Sequence, residues 1–203
     1  MKRTAIIIAV LALCAASCAR KNEAPVEASE NQVIETIMKR RSVRKYKDTP
    51  VPSDLLQKIA ECGVNAPNGS NRQRWEVRLV NNPELIKAFT EEYKSSNPRF
   101  ASNPDMKTMF QNAPAIICIG TPEGAETIDS GLMGENMILA AESLGLATCC
   151  LGGPVPFVKG CSLYSKLDFS EGYELCYMIG IGYADESPDA KPRDLGKIKF
   201  IER

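Results

Sequence analysis

Apolar residues recur at helical spacing over residues 31–41, where Val33, Ile34, Ile37 and Met38 share one side of a predicted helix. Lys39, Arg40 and Arg41 close it, at the end where cations suit the helix dipole. Pro50 and Pro52 bracket a turn, and Ser53 is placed to cap a helix over about 53–65, with Leu55, Leu56, Ile59 and Ala60 as its apolar face. Residues 63–74 form an Asn-, Gly- and Pro-rich loop, and Trp75 to Val80 alternates like a strand. Asn82-Pro83 opens a further helix to about Lys94, followed by a Ser/Asn/Pro loop over 95–105 and a short helix near 105–112.

The second half is more apolar. Pro114 to Gly120 is a solid apolar run that predicts a buried strand. Residues 129–144 carry the strongest helical pattern, with Leu132, Met133, Met137, Ile138, Ala141 and Leu144 on or near one face, and Gly145 ends it. A short strand at Ala147–Leu151 runs into Gly152-Gly153-Pro154. A short helix and turns fill 155–168, Leu175 to Tyr183 is a strand, and residues 185–203 are a polar tail with an apolar end. Helices and strands interleave without a regular βαβ beat, so the pattern predicts an α+β fold.

The first thirty residues do not follow this pattern. Lys2 and Arg3, the apolar run Ala5–Leu13 and the small residues Ala15-Ala16-Ser17 read as a secretory signal over 1–17, too short to span a membrane. Cys18 follows small residues, as the acylated cysteine of a bacterial lipoprotein does, although Ala15 stands where leucine is usual. The favoured reading is an exported chain anchored to a membrane through lipid on Cys18, with 18–30 as a polar tether; the alternative is ordinary signal cleavage near Ser17 with Cys18 unmodified. The domain itself covers 31–203.

The 203 residues suffice for one domain with a core. No histidine is present, which excludes Ser-His-Asp and Cys-His catalysis. The formal net charge is zero, and without 1–17 it is −2, so the bulk balance does not point to nucleic acid. Of eight cysteines, six remain beyond Cys18, with no metal-type spacing. Cys118 and Cys176 sit in strand-like runs as packing residues, and Cys149 and Cys150 should face opposite sides of a strand.

Four segments can carry chemistry. Arg40, Arg41, Ser42 and Arg44 concentrate guanidinium forks and a hydroxyl where a helix ends, a set that suits phosphate oxygens. Alone, they read equally well as a solvated helix end. Residues 66–73, with Pro67, Asn68, Asn71 and Gln73, offer amides to a heterocycle edge or simply make turns. Leu151, Gly152 and Gly153 leave room for a ligand beside backbone amides. Lys191 and Arg193 form a second basic pair, or part of a solvated tail.

Taken in order, RRSVRKY at 40–46, APNGSNRQ at 66–73, ESLGLATCCLGG at 142–153 and KPR at 191–193 resemble the FMN-dependent nitroreductase family over nearly the whole chain from residue 31. The resemblance implies an α+β homodimer, with a central antiparallel or mixed sheet flanked by helices and FMN at the interface. It implies that Arg40, Arg41, Ser42 and Arg44 grip the phosphate and ribityl chain, with Lys191 and Arg193 closing on the phosphate. Pro67, Asn68, Asn71 and Gln73 would come to the flavin from the second subunit, and Leu151, Gly152 and Gly153 would lie beside the ring. It implies ping-pong transfer of hydride or electrons from NAD(P)H to a small electron-poor acceptor such as a nitroaromatic or quinone. No catalytic side chain and no metal are then required. A dehalogenase-type enzyme of the same fold, or a non-catalytic exported lipoprotein that binds a phosphorylated ligand, is the alternative. The chain departs from the family pattern at Asn68, where serine is common, at Arg74, where proline is, and at Cys150, where an aromatic is frequent.

Overall fold

A computed structural model describes residues 31–202. The signal, Cys18 and the tether expected over 1–30 lie outside the described residues. The chain divides into two compact units at Glu35/Thr36. Of the first, only residues 31–35 are described, and they enter helix α1 (Gln32–Lys39). The Asn31 side chain accepts from the N–H groups of Val33 and Ile34 and so caps this helix. No residue of α1 is buried, and Val33, Ile34, Ile37 and Met38 are all exposed.

The second unit is built on a four-stranded antiparallel sheet in the order β1-β2-β4-β3. The strands are β1 (Glu76–Val80), β2 (Ala115–Pro122), β3 (Ala147–Cys150) and β4 (Tyr173–Gly182). Every ladder is antiparallel, so the mixed alternative does not apply within the sheet. The one parallel bridge, among the described residues, joins Ser42, outside the named strands, to Thr148 of β3.

The apolar run of β2 follows from its central place. Ala115, Ile117 and Ile119 face one core, shared with helices α2 (Ser53–Val64) and α5 (Ile128–Ser143). Ile116 and Cys118 face a second core, shared with α3 (Pro83–Ser96) and α6 (Pro154–Gly160). Both faces are covered, so no polar alternation survives. Each fully buried Leu, Ile, Met or Phe in these cores contributes about 1.5–3 kcal/mol relative to exposure.

The predicted apolar face of α2 is confirmed: Leu56, Ile59 and Ala60 are buried. Ser53 is not its cap. Pro52 holds that position without a side-chain bond, and the Ser53 hydroxyl instead accepts from Asn81 Nδ2 at 2.9 Å. Asn82 does cap α3, accepting from the N–H groups of Glu84 and Leu85. Two details of the following stretch differ from expectation. A one-turn helix, α4 (Pro98–Ala101), forms inside the predicted loop because Asn97 caps it. The helix expected near 105–112 is absent: Gln111 and Asn112 adopt positive φ, and Asn112 Oδ1 takes the Thr108 N–H.

Helix α5 carries Met133, Met137, Ile138 and Ala141 into the core, while Ile128, Leu132 and Leu144 stay exposed. Its apolar residues therefore occupy two sides. Gly134 permits its closest approach to the sheet, since a Cβ there would stand 2.2 Å from Tyr177 Cε1. Gly145, at φ +78, ends the helix region as expected. All six cysteines in the described residues are free. Cys149 is buried and Cys150 exposed, on opposite sides of β3 as the strand period requires.

Candidate active site

The segment 42–47 is stitched between β3 and the chain that follows β4. Val43 N–H bonds the Thr148 carbonyl, Lys47 N–H the Tyr183 carbonyl, and Asp185 N–H the Lys45 carbonyl. Glu186 Oε1 accepts from the backbone N–H groups of both Arg44 and Lys45. Val43 and Tyr46 are buried with Ala113 and Ala147, and the Tyr46 hydroxyl donates to the Val43 carbonyl at 2.6 Å. Burial holds that phenol far above its ordinary pKa, so it stays a neutral donor.

This stitching brings the two ends of the domain together. Arg40, Arg41, Ser42 and Arg44 line one cavity of about 150 Å³ with Lys191 and Arg193. Five cationic side chains face it against one carboxylate, Asp189. Several guanidinium N–H groups are fixed by nearby carbonyls: Arg41 Nη1 by Met38 and Arg40, Arg44 Nη1 by Ser42, and Arg193 Nη1 by Lys191. Those bonds orient the forks and leave their other donors available. The Arg40 side chain makes no hydrogen bond or ion pair among the described residues. The donor set fits an anion with several oxygens, and a phosphate above all.

The second predicted segment lies elsewhere in the chain. Gly69 N–H bonds Asp129 Oδ2 at 3.1 Å, and Gln73 N–H bonds Asn68 Oδ1 at 2.9 Å. Ser70, Asn71 and Gln73 all have positive φ, and all three are exposed. Gly69 and Ser70 line a different cavity, of about 410 Å³, with Arg72, Arg74 and Thr121. Pro67, Asn68, Asn71 and Gln73 thus share no cavity with the basic cluster in one chain. Leu151 is buried in the α3/α6 core, while Gly152 and Gly153 are exposed, and a Cβ on either glycine would meet nothing within 4 Å. The backbone there is open, but neither glycine lines the basic cavity.

Beside Leu151, the Tyr177 hydroxyl bonds the Cys150 thiol at 2.8 Å. Burial and this bond raise the phenol's pKa well above its ordinary range. Burial likewise raises the Cys149 thiol, against the pull of Arg44. Sequence reasoning missed Glu186 and Asp189. Glu186 carries no local signal, since its partner lies 142 positions away. Asp189 stands two residues before Lys191, but a carboxylate beside a basic pair reads as ordinary surface.

The chain matches the model of the nitroreductase family over residues 37–183. The NADPH-flavin oxidoreductase of Vibrio harveyi is 28% identical over 179 residues, covering 80% of this chain and 70% of that one. A nitroreductase from Desulfitobacterium hafniense, solved with bound FMN, superposes with a TM-score of 0.73 at 29% identity, over 85% of this chain and 99% of that one. A nitroreductase from Bacteroides fragilis, also with bound FMN, gives 0.73 at 27% identity, over 85% and 100%. The antiparallel sheet between two helical cores, the stitched basic segment and this match across most of the domain together place the chain in the nitroreductase family.

Proposed function

We infer that this protein is an FMN-dependent oxidoreductase that takes electrons from NAD(P)H and passes them to a small electron-poor acceptor, a nitroaromatic or a quinone. The observation that carries the reading is the cavity in which Arg40, Arg41, Ser42 and Arg44 meet Lys191 and Arg193. It joins segments from opposite ends of the sequence around one multivalent anion site. Relatives that bind FMN or are named NADPH-flavin oxidoreductases support it.

FMN, when bound, supplies the hydride and electron chemistry that no side chain here provides. The residues hold and orient it. Arg40, Arg41, Arg44, Lys191 and Arg193 neutralise the phosphate, and Ser42 adds a hydroxyl. The exposed backbone at Gly152 and Gly153 offers N–H donors to the ring edge. We place Pro67, Asn68, Asn71 and Gln73 at that ring from a second copy of the chain, as the resemblance to the family implies. A homodimer follows, and the exposed apolar residues Ile128 and Leu132 of α5, with Leu144 just beyond its end, suit its contact.

Purified protein spanning 19–203 should be yellow, and NAD(P)H should bleach it under anaerobic conditions. A colourless protein that takes up no added FMN ends the proposal. Export and lipidation at Cys18 form a separate part of it, resting on Ala15-Ala16-Ser17-Cys18 after the short apolar run. Radiolabelled palmitate should label the wild-type chain and not Cys18→Ser; equal labelling of both rejects the anchor.

A further inference from the structure

We propose a second small-molecule site, for an aromatic carboxylate, in the cavity between α3 and the 107–114 loop. The cavity measures about 370 Å³, within the range of small-ligand pockets at roughly 300–1,000 Å³. It shares no residue with the basic cavity or with the one beside the 66–73 loop.

Its shape comes from one face of a helix. Pro83, Ile86, Lys87, Thr90 and Glu91 recur at three- and four-residue spacing along α3 and form one wall. Val51, Ile86 and Ala113 supply a buried apolar floor. Such a floor takes a flat hydrocarbon ring.

The charges at its edge are unequal. Lys107 pairs with Asp48 at 3.5 Å, and Glu91 pairs with Lys94 at 2.9 Å. Lys47 and Lys87, which also line the cavity, make no ion pair among the described residues. With Lys107 and the carboxylates Asp48 and Glu91 also in the lining, the cavity keeps an excess of one positive charge above an apolar floor. An anion on an apolar body complements both.

A third observation concerns Thr108. It belongs to the cavity wall, and its Oγ1 is buried without a hydrogen-bond partner among the described residues. The neighbouring buried hydroxyl, Thr90, is fully used: it donates to the Ile86 carbonyl and accepts from Met109 N–H. A buried hydroxyl left unpaired is costly. The Thr108 hydroxyl is the donor we assign to an occupant's carboxylate.

The test uses FMN-loaded protein and 2-naphthoate as the probe, followed by calorimetric titration while the flavin absorption spectrum is recorded. The proposal expects one saturable site that leaves the flavin spectrum unchanged. Lys87→Gln should weaken it about two- to fivefold, as an exposed ion pair does. Thr108→Val should weaken it about three- to tenfold. The same Thr108→Val protein should melt no lower than wild type, because it loses only an unpaired group. Uncharged 2-naphthamide should bind more weakly than the acid. No saturable binding, or binding that shifts the flavin spectrum and ignores both substitutions, overturns the proposal. Loss of affinity with a lowered melting point in Thr108→Val also counts against it, since the hydroxyl would then be structural.

Discussion

Arg44 donates its backbone N–H to Glu186 Oε1 at 2.5 Å, across 142 positions of sequence. The same oxygen takes the Lys45 N–H at 3.2 Å. One carboxylate thus fixes the path of the basic segment against the chain that carries Lys191 and Arg193. Glu186 acts on the cavity through the backbone and need not touch an anion.

Arg40→Ala and Arg44→Ala should therefore each weaken FMN retention by about 1.5–3 kcal/mol, the cost of a charge-assisted contact. Glu186→Ala should also weaken it, though no positive charge is lost. Fluorescence of FMN released on dilution measures all three. Unchanged retention in both arginine variants would remove the phosphate assignment.

Much of this architecture was legible in the sequence, for identifiable reasons. The buried β2 run and the apolar face of α2 were readable because side-chain periodicity is local, whereas the single apolar face expected of α5 splits into a buried side and an exposed one. Asn82 was readable as a cap for the same reason. Ser53 was misread because capping depends on where the chain turns, and Asn81 claims its hydroxyl. The 105–112 stretch failed as a helix because Asn112 bonds Thr108 and bends the backbone to positive φ, competition that composition hides. Within the site, Arg40–Arg44 and Lys191–Arg193 stood out as basic motifs, but only the fold puts them in one cavity. Glu186 was invisible because its role lies wholly in a long-range pairing.

Helix α5 should tolerate no side chain at Gly134. A Cβ there would stand 2.2 Å from the Tyr177 ring, so Gly134→Ala should destabilise by about 1–3 kcal/mol despite the better helix propensity of alanine. Tyr177→Ala in the same chain should recover part of that loss. Denaturant unfolding of the four proteins in the cycle gives the coupling, and additive effects would show that the ring is free to move.

Thiol accessibility should rank with burial. Cys150 is exposed, whereas Cys118 is fully buried and its pKa is pushed up to about 12 by desolvation. Mass spectrometry after brief alkylation of native protein should find Cys150 labelled and Cys118 untouched. Cys118 should react only on unfolding.

Glu76 should leave a mark on the acid limb of stability. Burial opposes its ionisation, but bonds from Ser170 and Arg78 outweigh this and set its pKa below the ordinary value. A carboxyl depressed in the folded state stabilises above its unfolded pKa, about 4.3, and loses that contribution as pH falls through the folded one. Melting temperature followed from pH 6 down to pH 3 should fall less steeply in Glu76→Gln than in wild type. Parallel curves would show that the interaction is already lost to solvent.

The separate cavities of the basic cluster and the 66–73 loop have a genetic consequence. In the proposed dimer, each flavin would draw its phosphate grip from one chain and its loop from the other. A chain damaged at Arg40 and a chain damaged at Asn71 would then complement each other. Co-expressed, they would form mixed dimers in which one site carries both lesions and the other carries neither. Two inactive alleles damaged at different motifs would restore activity together, whereas two damaged at the same motif would not.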